Sequence, residues 1–250
     1  MVNANHFLPK VYLMKRPSSR WMVGRRRFIK SIMLLASSII AVLSALLILT
    51  PQRKELLDGE VIELPKPPKI SMSVEEAIQR RRSIREYKHP IDLLRFSQLL
   101  FHSFSKVENG YGALQAALNE IDVCVAVGEG RVEGVKGGIY LYLRDEHALK
   151  MLKEGSFLKE LASAAVNQVW VEEACFNIVL FSDLKGGVLR EGVVELPHLC
   201  AGILGEKVYL AAVGLGLGCV VIGAFYDDRV KEIFNTAKTP LYIIPVGVRV

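Results

Sequence analysis

The chain has 250 residues, enough for one ordinary domain and an additional segment, and 51% of its residues are hydrophobic. The formal net charge of +6 is unevenly placed: residues 1–70 hold 12 Lys and Arg against 4 Asp and Glu, whereas residues 71–250 hold 20 against 22. A nucleic-acid-binding domain carries its basic excess on its own folded surface. Here the larger part of the chain is slightly acidic, so the composition argues against nucleic-acid binding.

The N-terminal segment contains a stretch, residues 31–49, without a charged side chain. A helix needs about 20 such residues to cross the hydrocarbon core of a membrane. Eight Lys and Arg precede the stretch and Pro51 follows it. The pattern predicts a basic cytoplasmic segment over residues 1–30 and a transmembrane anchor or signal over residues 31–50. The positive-inside rule then places the rest of the chain on the extracytoplasmic side, the alternative being a domain that faces the cytoplasm.

Three arginines, Arg25 to Arg27, stand just before this stretch and resemble the twin-arginine export signal. The alternative is that they only flank a membrane helix. Ala41 and Ala45 lie inside the apolar run, so no convincing cleavage site follows, and a retained anchor is favoured over a cleaved signal. A buried core helix is the remaining alternative, and the uneven charge argues against it.

Residues 51–70 are charged at first and then rich in proline. Proline fixes φ and lacks a backbone donor, so this part predicts an extended linker. The folded domain is expected over residues 71–250.

Apolar periodicity and turn residues predict the elements of this domain. Ser73 and Glu76 match a capping box, which begins a short helix. Further helices are predicted over residues 91–104, 157–166, 196–217 and 227–234, and strands over residues 121–127, 138–143, 174–181, 219–222 and 241–248. Helices and strands mix without a regular βαβ repeat, which favours an α+β sandwich over a doubly wound sheet.

Basic side chains and a hydroxyl follow the first of these helices, at Arg81, Arg82, Ser83 and Arg85. Arginine presents a planar fork of donors that matches phosphate oxygens. The cluster therefore indicates a phosphate site, and the alternative from spacing alone is a solvated basic run.

Two other patterns carry no chemistry of their own. The glycines at positions 214, 216 and 218 end a predicted helix and lead into a strand, which is the reverse of a Rossmann fingerprint and is typical of a helix C-cap. The cysteines and histidines are scattered, so no metal site is predicted. Three of the cysteines stand in apolar strands or at their edges and are predicted to be buried packing residues, the alternative outside the cytoplasm being a disulfide. The four cysteines stand at Cys124, Cys175, Cys200 and Cys219.

The segment from Ser73 to Tyr87 resembles the opening of the nitroreductase family, and is especially similar to the branch called SagB-type dehydrogenases. Further stretches resemble the family in the expected order, and the likeness covers roughly residues 71–250. These stretches are Tyr111–Leu114, Gly137–Tyr142, Asp145–Leu149, Ala201–Gly218 and Ile222–Phe225.

The resemblance implies a nitroreductase-like three-layer sandwich with a central, mostly antiparallel sheet. It also implies an intertwined homodimer with one FMN in each of two interface clefts. The flavin carries the redox chemistry, so no side chain is assigned as a catalytic group. The implied FMN-binding residues are Arg81, Arg82, Ser83 and Arg85 at the phosphate and ribityl chain, Gly223 and Ala224 beside N5 of the ring, and Arg249 as the C-terminal basic residue.

The sequence departs from the family pattern in two places. Tyr111 replaces the usual Ser before Gly-Ala-Leu, and Gln115 and Ala116 replace Tyr-Pro. In the long helix, the usual His, Gln and Asn are replaced by the residues Ile203, Glu206 and Lys207. These changes support an alternative hypothesis, a membrane-anchored relative that binds flavin, another ligand or a partner protein without catalysis.

The resemblance implies hydride transfer from a reduced small-molecule donor, through the flavin, to a small-molecule acceptor. Outside the membrane NAD(P)H is scarce, so a quinol or another protein would donate, whereas a cytoplasmic domain would use NAD(P)H. Nitroaromatics, quinones and azoline rings of modified peptides are all open as acceptors, because a fold-level likeness does not choose among them.

Overall fold

The computed structural model describes residues 59–106, 114–183 and 196–250. These residues belong to one folded unit, Gly59–Val250. The predicted basic segment, twin-arginine motif and membrane helix lie outside the described residues, as does the part of the resemblance over residues 111–113.

The described residues form eight strands and seven helices. The strands are β1 (Val61–Glu63), β2 (Tyr87–Lys88), β3 (Asp122–Val127), β4 (Gly138–Leu143), β5 (Ala148–Glu154), β6 (Phe176–Ser182), β7 (Leu217–Cys219) and β8 (Thr239–Arg249). The helices are α1 (Val74–Arg80), α2 (Leu93–Phe104), α3 (Leu114–Asn119), α4 (Leu158–Ala164), α5 (Val169–Glu173), α6 (Leu196–Gly214) and α7 (Asp227–Phe234).

All eight strands join one sheet in the order β1-β5-β4-β3-β6-β8-β2, and β7 also pairs with β8. Every pairing between these strands is antiparallel. The α+β architecture with an antiparallel sheet is therefore confirmed, and a doubly wound parallel sheet is excluded for this unit.

The sheet is the middle of three layers. Along β3, Val123 and Val125 face one apolar cluster, whereas Cys124 and Ala126 face another. This alternation follows from the two-residue period of a strand, and it lets one strand bury side chains on both faces. Helices α2, α3 and α6 contribute to the first cluster, and α4, α5 and α7 contribute to the second.

Helix α6 is central to the first layer, since it packs against α1, α2, α3 and β8. Among the described residues it is the one helix long and apolar enough, by length and composition alone, to cross a membrane. It buries Cys200, Leu204 and Val208 within the domain. An apolar helix that contacts other elements on several sides is the expected core helix of a large domain.

The proline-rich stretch lies on the folded body. Strand β1 pairs with β5, and Leu64 is buried. The carbonyl oxygen of Pro65 accepts from Ser97 Oγ at 2.6 Å, and that of Pro68 accepts from Gln98 Nε2 at 3.1 Å. Prolines lack a donor but keep their carbonyl acceptors, which explains this packing along α2. The folded unit thus begins before the predicted boundary at residue 71.

Several predicted boundaries in the C-terminal half differ from the structure, and two of them have a clear local cause or consequence. Helix α6 ends at Gly214 rather than at residue 217, because Gly216 adopts a left-handed φ of 68°. Strand β7 is Leu217–Cys219 rather than residues 219–222, and Ile222 forms only an isolated bridge with Ile243 of β8.

Candidate functional site

The arginine segment after α1 lies against β7. The Ile84 amide donates to the Cys219 carbonyl at 2.9 Å. A Cβ at Gly218 would stand 2.6 Å from Ile84 Cγ2, so only glycine permits this close approach. Tyr87 then pairs with Arg249 at the end of β8. The two pairings bring the arginine segment and the C-terminal arginine to the same edge of the sheet.

A cavity of about 350 Å³ opens at this edge. Ser83, Arg85 and Arg249, three of the residues implied to bind FMN, line it together with Glu86. Neither Arg85 nor Arg249 has a carboxylate partner among the described residues. Two unpaired guanidiniums and a hydroxyl fit a phosphate, which takes several charge-assisted hydrogen bonds, although Glu86 adds one opposing charge.

The hydroxyl of Tyr209, on α6, joins this segment to the chain beyond β7. It lies 3.0 Å from Ser83 Oγ and accepts a hydrogen bond from the Val221 amide, also at 3.0 Å. When Tyr209 donates to Ser83, the Ser83 hydroxyl proton remains available to an acceptor in the cavity.

Aromatic rings hold two of the arginines without neutralising them. The Arg81 guanidinium carbon lies 4.9 Å from the centroid of Tyr209, and that of Arg85 lies 5.4 Å from the centroid of Trp170. Such cation–π contacts restrict the orientation of a guanidinium while its charge stays available. Arg81 is half-buried beside Ser83, whereas Arg85 is exposed at the cavity.

Arg82 points elsewhere. Its Nη1 donates to the carbonyl oxygens of Gln79 at 3.0 Å and Arg81 at 2.7 Å, which belong to the C-terminal end of α1. Carbonyl groups at this end of a helix lack intrahelical partners, and a cation there also interacts favourably with the helix dipole. Arg82 therefore caps α1 and does not line the cavity.

Gly223 and Ala224 are exposed and do not line this cavity either. Gly223 follows Val221 by two residues, which is at most about 7 Å of extended chain. Tyr209 links Val221 to Ser83, so Gly223 is connected to Ser83 through these two residues. Ala224 is held at its carbonyl oxygen, which accepts from Gln168 Nε2 at 3.2 Å. The structure thus places the residues implied to lie beside the ring outside the Ser83 cavity.

Tyr209 and Trp170 are the site residues that sequence reasoning missed. Tyr209 stands within a stretch that resembles the family, but nothing in the local pattern assigns its hydroxyl a partner. Trp170 lies on α5, far along the chain from Arg85, and no spacing in the sequence joins the two.

The cysteines contribute packing to the core. All four are buried and free. Burial raises the pKa of each thiol, and it raises that of Cys219 to about 12. A thiol with a raised pKa is a poor nucleophile. The prediction that three of the cysteines are buried packing residues is confirmed, and the fourth is buried as well.

Comparison with known proteins identifies relatives of the chain. The model of the nitroreductase family matches residues 142–248. A protein of Methanocaldococcus jannaschii that carries the name nitroreductase is 30% identical over 193 residues, which cover 76% of this chain and 98% of that protein.

Solved structures agree on the fold. One from Anabaena variabilis, described as a nitroreductase, superposes with a TM-score of 0.63 at 24% identity and covers 77% of this chain. This chain spans 42% of the length of that protein. Another from Ralstonia eutropha, also described as a nitroreductase, gives a TM-score of 0.59 at 24% identity, with 76% of this chain and 90% of that chain covered.

Proposed function

The chain belongs to the nitroreductase family, and from that premise we propose that it is an FMN-dependent oxidoreductase resembling the SagB-type dehydrogenases. Its reaction is the transfer of a hydride from a reduced donor, through bound FMN, to an acceptor. The flavin supplies the hydride chemistry, and the protein supplies binding, orientation and electrostatics.

The observation that supports FMN binding is the convergence at one cavity. Ser83 and Arg85 follow α1, whereas Arg249 ends β8, and all three line the same space. The guanidiniums and the hydroxyl are suited to the phosphate. Arg81 adds positive charge from beside Tyr209. The exposed backbone at Gly223 and Ala224 is proposed to approach the N5 side of the ring.

The first test is the visible spectrum of the full chain, purified in detergent. We expect a bound flavin that is FMN by chromatography after release, that is bleached by a reductant and that is reoxidised by a quinone or nitroaromatic. A folded protein that remains colourless and takes up no added FMN would contradict the proposal.

A second candidate function, a binding module without catalysis, is favoured by the replacements in α6. Ile203 and Lys207 are half-buried and Glu206 is exposed, where the family has His, Gln and Asn. FMN that binds but is not reoxidised by any acceptor faster than free FMN would favour this module over the enzyme.

We further propose that residues 31–49 anchor the protein in a membrane with the domain on the extracytoplasmic side. The uncharged stretch and the eight preceding Lys and Arg support this topology. The four native cysteines are buried. A single exposed cysteine, Lys66→Cys, can therefore be labelled selectively in intact cells by an impermeant maleimide. Labelling only after the cells are broken would place the domain in the cytoplasm. NAD(P)H could then be its electron donor.

The active form is proposed to be a homodimer, as the resemblance implies. Exposed apolar side chains on α1 and α6, such as Ile78 at 57% and Leu199 at 45%, support an interface formed by these helices. The molar mass of the protein in detergent, corrected for bound detergent, tests the proposal, and a monomer at micromolar concentration would contradict it.

A further inference from the structure

A second cavity, of about 430 Å³, lies at the other end of α1 from the arginine segment. It is bounded by the stretch before α1, by α1 itself, by His102 of α2 and by the second half of α6. None of the residues that line it lines the Ser83 cavity. Since α1 has seven residues that rise about 1.5 Å each, the two cavities are roughly 10 Å apart along this helix.

The walls of the second cavity are apolar and closely packed. Ile70, Met72 and Leu210 line it, and a Cβ at Gly214 would collide with Ile70. Val74 also lines the cavity, yet it is 64% exposed. The cavity therefore combines a fixed apolar wall with an apolar residue at its opening, and its volume is in the range of small-molecule sites.

Basic side chains surround these walls. Lys69, His102 and Lys207 line the cavity, and none of its lining residues is acidic. The His102 ring is fixed because its Nε2 donates to the Pro68 carbonyl at 2.9 Å. The electrostatic character of the cavity is therefore positive, in contrast with the slightly acidic composition of residues 71–250.

Lys207 is a lysine of this cavity whose charge lacks a partner among the described residues. It is half-buried, and its ammonium makes no hydrogen bond or ion pair with any residue that the structure describes. Burial lowers its pKa, and the nearby Arg144 guanidinium lowers it further. A partly buried ammonium without a counter-charge is unfavourable, and an anion in the cavity would relieve that cost.

We propose that this cavity binds an apolar molecule that carries one carboxylate. The carboxylate contacts Lys207 and Lys69, and the apolar body lies against Ile70, Met72 and Leu210. The proposal is independent of flavin binding, because it rests on a separate cavity. Lys207 replaces an Asn that is usual in the family, so the family resemblance does not itself imply this site.

The test uses the full chain in lipid nanodiscs and follows binding by ¹⁹F NMR, with empty nanodiscs as the blank. The probe is 4-(trifluoromethyl)benzoate, and its neutral match is 4-(trifluoromethyl)benzyl alcohol. We expect the acid to bind at least about tenfold more tightly than the alcohol, since a charge-assisted contact is stronger than a neutral one. Lys207→Gln should remove this preference.

Two further variants control the result. Lys66 is exposed, stands close to Lys69 and does not line the cavity, so Lys66→Gln should bind the acid as the wild type does. Val74→Trp should fill the opening from an exposed position and abolish binding of both probes. Lys69→Gln serves if Lys207→Gln fails to fold, and it should weaken binding of the acid alone.

Equal affinity for acid and alcohol would overturn the proposal, and so would wild-type affinity in the Lys207→Gln protein. Absence of saturable binding would also overturn it, including the case in which a second copy of the chain covers the cavity. The flavin absorbance of each sample is recorded in parallel. A protein that lacks flavin but binds the acid would contradict the proposed function alone.

Discussion

The arginines implied to bind FMN have different surroundings, and this difference predicts their separate effects on FMN affinity. Arg85 and Arg249 line the Ser83 cavity without carboxylate partners in the described chain, whereas Arg82 caps α1. A hydrogen bond to a charged group contributes about 1.5–3 kcal/mol, so we expect Arg85→Gln and Arg249→Gln each to weaken FMN binding by about tenfold or more. Fluorescence titration of flavin-free protein measures the change.

Arg82→Gln is the matched control for these two variants. It should leave FMN affinity within about twofold of the wild type and lower the free energy of unfolding by about 0.5 kcal/mol, because only a cap is weakened. Equal losses of FMN affinity in the Arg82 and Arg85 variants would show that lining the cavity does not determine which arginine binds FMN.

The Tyr209 hydroxyl has a role that can be separated from that of its ring. In Tyr209→Phe the ring beneath Arg81 stays, but Val221 and Ser83 lose their shared partner. A buried donor left unsatisfied costs about 1–3 kcal/mol, and Val221 is half-buried, so the free energy of unfolding in urea should fall by an amount near the lower end of that range. Ser83→Ala keeps the bond between Val221 and Tyr209, so it should lower the free energy of unfolding clearly less than Tyr209→Phe does. A larger loss of stability in Ser83→Ala than in Tyr209→Phe would contradict the proposed network.

At the scale of elements, a histidine joins the proline-rich stretch to the sheet. His147 Nδ1 lies 2.7 Å from Tyr142 Oη, and its Nε2 lies 2.8 Å from Ser97 Oγ, which donates to the Pro65 carbonyl. A neutral ring protonated at Nε2 satisfies all of these bonds. Burial, the largest cause, lowers the pKa of His147 in the folded protein.

The lowered pKa predicts how stability changes with pH. The unfolded chain, with the ordinary pKa of 6.5, takes up the proton more readily than the folded protein. This residue should therefore destabilise the fold as pH falls below 6.5, until the pH passes the folded pKa, and should have no such effect at pH 8. Urea unfolding at pH 8, 6.5 and 5 measures the slope.

His147→Asn should flatten that slope, and Asn also tolerates the left-handed φ of 48° at this position. The exposed His89 is the control, and His89→Gln should keep the slope of the wild type. An unchanged slope in the His147 variant would assign the pH dependence to other groups.

The contact between the arginine segment and β7 depends on a glycine. In Gly218→Ala the new methyl group would overlap Ile84, so we expect a loss of about 1–3 kcal/mol in the free energy of unfolding and weaker FMN binding. Gly202 on α6 has open space around it, and Gly202→Ala should stabilise the protein by up to about 1 kcal/mol. Equal stability of the two variants would contradict the close approach.

Local patterns predicted those elements that local interactions define. The Ser73 hydroxyl accepts from the Glu76 amide at 3.2 Å, as the capping box predicted, and β4 and α7 have the predicted bounds. Strands β1, β2 and β5 and helices α3 and α5 were not predicted. Two or three residues carry no period, so β1 and β2 form strands only by pairing with β5 and β8. The Tyr209 and Trp170 contacts were missed for the same reason, since distant segments supply both partners.

At the scale of the whole molecule, the start of the folded unit predicts the behaviour of fragments. A fragment of residues 57–250 keeps β1 and the buried Leu64, whereas one of residues 71–250 loses both. Full burial of one leucine alone contributes about 1.5–3 kcal/mol, so the shorter fragment should melt at a clearly lower temperature. Equal melting temperatures by circular dichroism would mean that the proline-rich stretch contributes nothing to the stability of the domain.

The pairing of β2 with the last strand has a consequence for biogenesis. Arg249 reaches the Ser83 cavity only through β8, so the cavity is complete only when β8 has paired with β2. A chain in which β8 is unpaired lacks this wall, so the proposed cofactor would bind only after these two strands have met. Any transport route that threads the polypeptide in extended form would dismantle this wall, and only a route that carries folded cargo would deliver a protein loaded before transport.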